Sequence, residues 1–453
     1  MRRQAQRFRI YSCPSSGGEP QEIVIGQQIG QQKVKQIIWT VRLANKKAIW
    51  YEFQTTDGEQ GYASNHPLRN SSITNPKERL KLIIDPGSRT LTDKNQSAYF
   101  SLNRKSDEKP FPFEGLKPDG NEIKSLGEIH TDPDGRLIVV GGFGHSGSTH
   151  SNPAISNYAN NDGWWDDTSD GPVTATVILD NDQTIEVVPA FVLVAPPAYA
   201  PQILNLITLY DTMFNVAVRQ MGYRPDIYKN SFWNQEYKPN FEREIKPILE
   251  RASVFPWVTA IPPKPHTFDF NLLGNTNSRY NSMRQYFFSQ VRPPNMKNSL
   301  KSPTTGYPMM PYLAGDVSAG SSQKTSKFLT LTATQYFLLQ QWAEGKFTTS
   351  ETNTENEHPG EQLSRAVLEN CVGGAFAPGI EMTWICRNPK IYSEPFRIKH
   401  KKMAPDQGLS LEMNLEEGLE PGDVTKYRSP EKGYGNQQAI AFPGTASHKS
   451  WNH

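Results

Sequence analysis

Cys371 and Cys386, two of only three cysteines in 453 residues, bracket the run Cys-Val-Gly-Gly-Ala-Phe-Ala-Pro-Gly-Ile-Glu-Met-Thr-Trp-Ile-Cys, where sulfur, carboxylate and indole are set among glycines. Thiol chemistry needs the thiolate, and the thiolate needs a base or a cation beside it. His400 is the nearby histidine that could serve. Glycines let the backbone approach another group closely or take positive φ, which side chains oppose. Three chemistries fit the run: inert buried thiols, a nucleophilic thiolate, or a cysteine covalently modified within a glycine-lined cavity.

A second island occupies residues 160–172, Asn-Asn-Asp-Gly-Trp-Trp-Asp-Asp-Thr-Ser-Asp-Gly-Pro. A glycosidase pair would need carboxyl groups roughly 5 to 10 Å apart, drawn from separate elements. Asp166 and Asp167 are adjacent and would point to opposite faces of an extended stretch. A metal site built with His145 and His150 would match no ligand spacing. Asp side chains folded back onto turn amides account for most of the segment. Residues 141–148, Gly-Gly-Phe-Gly-His-Ser-Gly-Ser, lack the spacing of a dinucleotide or Walker loop, and no helical pattern follows that could aim its N-terminus at a phosphate.

The elements that must hold these islands are of two kinds. Before residue 195, short β-branched and aromatic runs at 22–25, 37–43, 80–84, 136–140, 173–179 and 190–194 alternate with turn clusters such as Asp85-Pro-Gly and Asp132-Pro-Asp-Gly. They read as an antiparallel sandwich or barrel. From Pro201 the apolar period changes: Ile203, Leu206, Ile207, Tyr210 and Phe214 predict a helix of about five turns ending at Gly222. Further helices are expected over 241–251, interrupted by Pro247, over 279–290, and over 332–344 with Thr332 as cap. Residues 349–360 have no large apolar side chain and read as an insertion.

The fold class is therefore α+β. A β-rich antiparallel domain is expected at 1–200, a mainly helical, loop-rich domain at 201–427, and a disordered tail at 428–453. A chain of this length can bury a sizeable core, and its 11% aromatic content would carry much of that burial.

Composition excludes several partners. The formal net charge is +2, so no whole-molecule field favours nucleic acid or an anionic membrane. The basic run at 397–402 reads as a solvated surface. Three cysteines without a CxxC pair form neither a disulfide framework nor a zinc signature. The N-terminus has no apolar leader, and no stretch approaches the ~18 apolar residues of a membrane span. A cytoplasmic location, or export without a secretory leader, is the expectation.

Several long motifs occur in one order: the island from Asp162 to Val173, Tyr-Lys-Asn-Ser-Phe-Trp at 228–233, Met-Pro-Tyr-Leu-Ala-Gly-Asp at 310–316, Thr-Gln-Tyr-Phe-Leu-Leu-Gln-Gln-Trp at 334–342, the cysteine run, and Glu-Pro-Phe-Arg-Ile-Lys-His at 394–400. In these, from about Arg7 to Tyr427, the chain resembles the L-lysine ε-oxidase and glycine oxidase quinoprotein family.

The resemblance implies an amine or amino-acid oxidase whose cofactor, cysteine tryptophylquinone, is made from the protein's own side chains. It would deaminate a primary amine with dioxygen, giving an aldehyde or oxo acid, ammonia and hydrogen peroxide. A flavoprotein maturation partner and a homo-oligomer are also implied, without metal or nucleotide. Cys371 is favoured as the cross-linking cysteine, because the following glycines would leave room for an indole quinone; Cys386 is the alternative. The partner tryptophan is expected in a Pro-Trp segment after Gly-Asp-x-Thr-Lys-Tyr, but Tyr427 is followed by Arg-Ser-Pro-Glu-Lys-Gly, and only Trp451 lies beyond. Two alternatives follow from that departure. One is a chain that keeps the fold without forming its quinone. The other is a non-enzymatic binding protein that uses the β-rich half and the aromatic loops. Trp165, Asp167, Glu381, Trp384 and Arg397 are expected to line the substrate, with His400 as the candidate base.

Overall fold

The computed structural model describes residues 3–14, 19–52, 65–101, 123–149, 160–196, 202–254, 267–295, 299–313, 328–350, 358–371, 373, 383, 385–401 and 408–411, and the backbone of 437–445. Its N-terminal part contains two large antiparallel sheets and a two-stranded one, Ser146–Ser148 with Trp164–Asp166. One centres on β1 (Ala5–Pro14), which pairs with Leu137–Val140, Gln21–Ile23 and Gln437–Thr445; Ser125–Thr131 and Ser97–Ser101 complete it. The other centres on β2 (Gln32–Arg42) and β3 (Ser169–Leu179), flanked by Ser88–Leu91, Thr184–Glu186 and β4 (Ala190–Val194).

Along β3, buried and half-buried residues alternate through Val173, Ala175 and Val177, as a strand with one face on a core requires. Phe8, Ile10, Leu126, Ile129 and Val139 of the first sheet share one apolar core with Trp39, Val41, Val173 and Val177 of the second. Trp39 is buried within it and donates its indole N–H to the Gly135 carbonyl at 2.9 Å. A buried indole needs such a partner.

The helical part is built from α1 (Leu209–Gln220), α2 (Lys246–Val254), α3 (Asn281–Ser289), α4 (Ala333–Ala343) and α5 (Pro359–Asn370). A capping box starts α1: Thr208 Oγ1 accepts from the Asp211 amide while the Asp211 carboxylate accepts from the Thr208 amide. Thr332 and Gln335 do the same for α4. One apolar cluster joins α1, α2 and α4, and Trp342 donates to the Leu273 carbonyl at 3.0 Å inside it.

A smaller cluster is decisive for the site. Leu209, Met213 and Val216 of α1 pack with Cys386, Ile391, Tyr392 and Ile398, and Phe191 and Leu193 of β4 pack against them together with Cys371. Both cysteines of the run thus lie where the β-rich part meets the helical part.

Four local expectations differ. Residues 80–84 are no strand: Asn75 caps a helical turn, Pro76–Leu80, and Ile84 forms only a single bridge with Asn45. The helix expected from Pro201 begins at Thr208, where the capping box places its start, and spans 12 residues. Residues 359–370 form a helix that the sequence reading passed over, with His358 as cap and Pro359 at its first turn. Within the stretch read as a tail, 437–445 runs antiparallel to β1.

Candidate active site

The cysteine segment is fastened to the first turn of α1 by backbone bonds. The Cys371 carbonyl accepts from the Leu209 amide at 2.9 Å, which satisfies one of the amides a helix start leaves unpaired. The Gly373 amide donates to Ile207 O at 3.0 Å, and Thr212 Oγ1 donates to Gly373 O at 2.8 Å. A Cβ on Gly373 would stand 1.8 Å from the Thr208 carbonyl oxygen. This glycine exists for close backbone docking. It does not open space for an indole, as the sequence reading expected of the glycines after Cys371; Gly374 lies outside the described residues.

Burial shapes the sulfurs. It pushes the Cys371 thiol up to about 11 and that of the fully buried Cys386 up to about 12, where the nearby Tyr392 hydroxyl works in the opposite direction. Tyr392 donates its hydroxyl to the Cys386 carbonyl at 2.6 Å. Neither sulfur is a thiolate at neutral pH, so the nucleophile reading loses its physical basis.

Beside this segment a charged wall forms. Arg251 is buried and donates from Nη1 to the Asp211 carboxylate, while its Nη2 stands 4.0 Å from Glu369, two residues before Cys371. Burial raises the Asp211 carboxyl above its ordinary value, against the pull of Arg251 and the two Thr208 donors. Arg365 bonds Glu369 at 2.9 Å and lies 4.9 Å over the Tyr210 ring. Arg251, Arg365 and Glu369 border a cavity of about 380 Å³.

The other expected residues are distributed differently. The Asp167 carboxylate is filled by three consecutive amides, those of Phe143, Gly144 and His145, at 2.7 to 3.2 Å. Burial raises its carboxyl, and those amides oppose the shift. It plugs the glycine loop 141–145, as an Asp folded onto turn amides does. Trp165 belongs to the core of the two sheets, against Gly147. Arg397 bonds Glu394 and donates to Pro189 O at 3.1 Å. His400 is half-buried and has partners of its own. Glu381, Trp384 and Trp451 lie outside the described residues.

Sequence reasoning missed Arg251, Asp211 and Glu369. Asp211 was legible as the third helical residue after a Thr cap, but its arginine is 40 positions away. It also missed Cys13, whose Sγ lies 3.1 Å from His358 Nε2. His358 Nδ1 accepts from the Gly360 amide, so in the neutral ring Nε2 carries the proton and donates to sulfur. Among the described residues, no group of three or more His, Cys, Asp or Glu could hold a metal ion, and no helix is long and apolar enough to cross a membrane.

Comparison with known proteins now decides the family. Residues 1–194 match the family model for the L-lysine epsilon oxidase N-terminal region, and 311–429 match that for the L-lysine epsilon oxidase C-terminal domain. The chain belongs to the L-lysine epsilon oxidase family. It is 36% identical over 464 aligned residues to an L-lysine 6-oxidase of Marinomonas mediterranea, covering 94% of this chain and 62% of that protein. The chain therefore spans somewhat less than two thirds of the curated relative's length. The solved ε-lysine oxidase of the same organism superimposes with a TM-score of 0.76 at 33% identity, over 93% of this chain and 65% of that one. The Schiff base intermediate of that L-Lys ε-oxidase with L-Lys gives 0.74 at 33% identity, over 90% and 63%.

Proposed function

We infer that this chain acts on a primary amine as an oxidase of the L-lysine 6-oxidase kind. The reaction would be R–CH2–NH2 + O2 + H2O giving R–CHO, NH3 and H2O2, with α-amino acids as the substrate class. The observation that carries this reading is the cysteine segment bonded to the first turn of α1, beside a cavity lined with both signs of charge, in a member of this family. A flavoprotein maturation partner and self-association belong to the same reading.

Cysteine tryptophylquinone requires a cysteine and a tryptophan in contact. Both candidate cysteines pack in one apolar cluster, to which no described tryptophan belongs. Trp257, Trp384 and Trp451 lie outside the described residues. The described residues supply the thiol half of that group and not its indole half. What they do supply is a dry setting that keeps the thiols protonated, and fixed charges for the ends of a zwitterion.

Peroxide release on addition of L-lysine, and then of glycine, tests the activity. An intact mass equal to that of the unmodified sequence, with no quinone redox-cycling stain and no peroxide, overturns it.

A further inference from the structure

Cys371 stands between two helix ends. It is the residue at which α5 stops, with its backbone extended at φ −92° and ψ 147°, and its carbonyl is bonded to the Leu209 amide in the first turn of α1. Gly373 meets the same turn twice more, through the Ile207 carbonyl and the Thr212 hydroxyl. The place of the sulfur is therefore set by the place of that turn.

One carboxylate holds the turn. Asp211 Oδ2 accepts from the Thr208 amide at 2.8 Å, from the Thr208 hydroxyl at 3.0 Å and from Arg251 Nη1. The Thr208 hydroxyl accepts in return from the Asp211 amide at 3.2 Å, so cap and carboxylate fix each other. Thr208 is fully buried, and its carbonyl oxygen is the atom that a Cβ on Gly373 would strike. The capped residue is thus also the floor beneath the cysteine segment, and a shift of the cap moves that segment.

Arg251 extends the hold to the second helix. It is only 5% exposed, and while Nη1 meets Asp211 in the first turn of α1, Nη2 stands 4.0 Å from Glu369 in the last turn of α5. Both helix ends that flank Cys371 lean on one buried cation. Taking away a carboxylate from such an arrangement leaves charge uncompensated in a dry setting, so the parts move together or not at all.

We propose that Asp211 is a positioning residue for the cysteine site: acting through Thr208, it sets where Cys371 stands, and Arg251 ties that place to the end of α5. The proposal rests on the amine-oxidase reading, in which a reacting group must be held to about 0.5 Å. Backbone bonds to a capped helix supply that precision. Asp211 itself needs no contact with the substrate.

Alkylation of the full chain by iodoacetamide, with each cysteine followed by peptide mass spectrometry, tests the hold. Asp211→Asn is expected to speed labelling of Cys371 about tenfold, and Thr208→Val, which keeps the shape but loses the hydroxyl, about fivefold. Cys386 should label at its original rate in both. Thr208→Ser, which restores a hydroxyl, should return Cys371 to within about twofold of the unaltered chain, and Asp167→Asn should leave it unchanged. The Thr208 pair keeps the proposal testable if the Asp211 variant does not fold. Unchanged Cys371 labelling in Thr208→Val overturns the proposal, as does an equal rise at Cys386, which would mean general destabilisation. In peroxide release from L-lysine, Thr208→Val should lower kcat about tenfold and leave KM as it was, since Thr208 is no part of the cavity wall; an unchanged kcat also overturns the proposal. Labelling as expected in a chain that releases no peroxide overturns the oxidase reading and leaves the hold on Cys371 standing.

Discussion

The glycine loop at 141–145 and the Arg251 cavity both gather donors suited to an anion, and they differ in what meets those donors. In the loop, the amides of Phe143, Gly144 and His145 converge on the chain's own Asp167. In the cavity, Arg251 meets Asp211 with one nitrogen and keeps others open. A saturated nest is a structural device, since a second anion would have to displace a buried carboxylate. An incompletely met guanidinium is where a ligand gains most, because binding removes an existing deficit. A concentration of donors is thus no guide to function until their partners are counted.

Substitutions separate the two regions, and the largest effect is expected at the cavity. Arg251→Gln leaves Asp211 buried without its cation and should lower stability by about 4 kcal/mol, read as a shift in the urea midpoint. A loss below about 1 kcal/mol would mean that the pair is no anchor of the wall. Gly373→Ala forces a methyl group into the Thr208 carbonyl and should cost about 3 kcal/mol in the same measurement. An unchanged midpoint would show that the cysteine segment does not dock on α1 so closely.

Asp167→Asn keeps the shape of the plug and weakens three charge-assisted bonds, for an expected loss of about 2 kcal/mol. It should leave the alkylation rate of Cys371 unchanged, because the loop takes no part in the network that Arg251 joins. Faster labelling would erase the contrast between the two regions.

The smallest effect is a pH dependence. The folded Cys386 thiol titrates at about 12, against an ordinary value of 9.0. Its contribution to stability is fully present below pH 9 and is lost as pH rises through 12. Between pH 8 and pH 10 the unfolded thiol ionises while the folded one does not, a loss of about 1 kcal/mol. Cys386→Ala should lessen the slope in urea melts between the two pH values by that amount and leave the part that belongs to the Cys371 thiol, which burial also raises; an equal slope in both proteins would assign it elsewhere.

Legibility from sequence followed the range of the interaction. The runs at 173–179 and 190–194 were readable because alternation is a property of neighbours, and the α4 cap was readable because Thr332 and Gln335 are three residues apart. Residues 80–84 misled, since Leu80, Leu82 and Ile83 are apolar through burial beside a helical turn and not through pairing. Helix α5 was passed over because the polar stretch before it masked a start made by His358 and Pro359.

The sequence by itself determined the α+β class, the family, the cap at Thr332 and the singular character of the cysteine run, because each is written in residues close together or in motifs of fixed order. Only the tertiary structure decided that Gly373 lies against Thr208, that Asp167 fills a loop more than twenty residues before it, and that Arg251 reaches Asp211 and Glu369. Those contacts join segments up to 165 positions apart, from Thr208 to Gly373. Whether a charge is met or left open depends on the distance and burial that folding imposes, which no local spacing encodes.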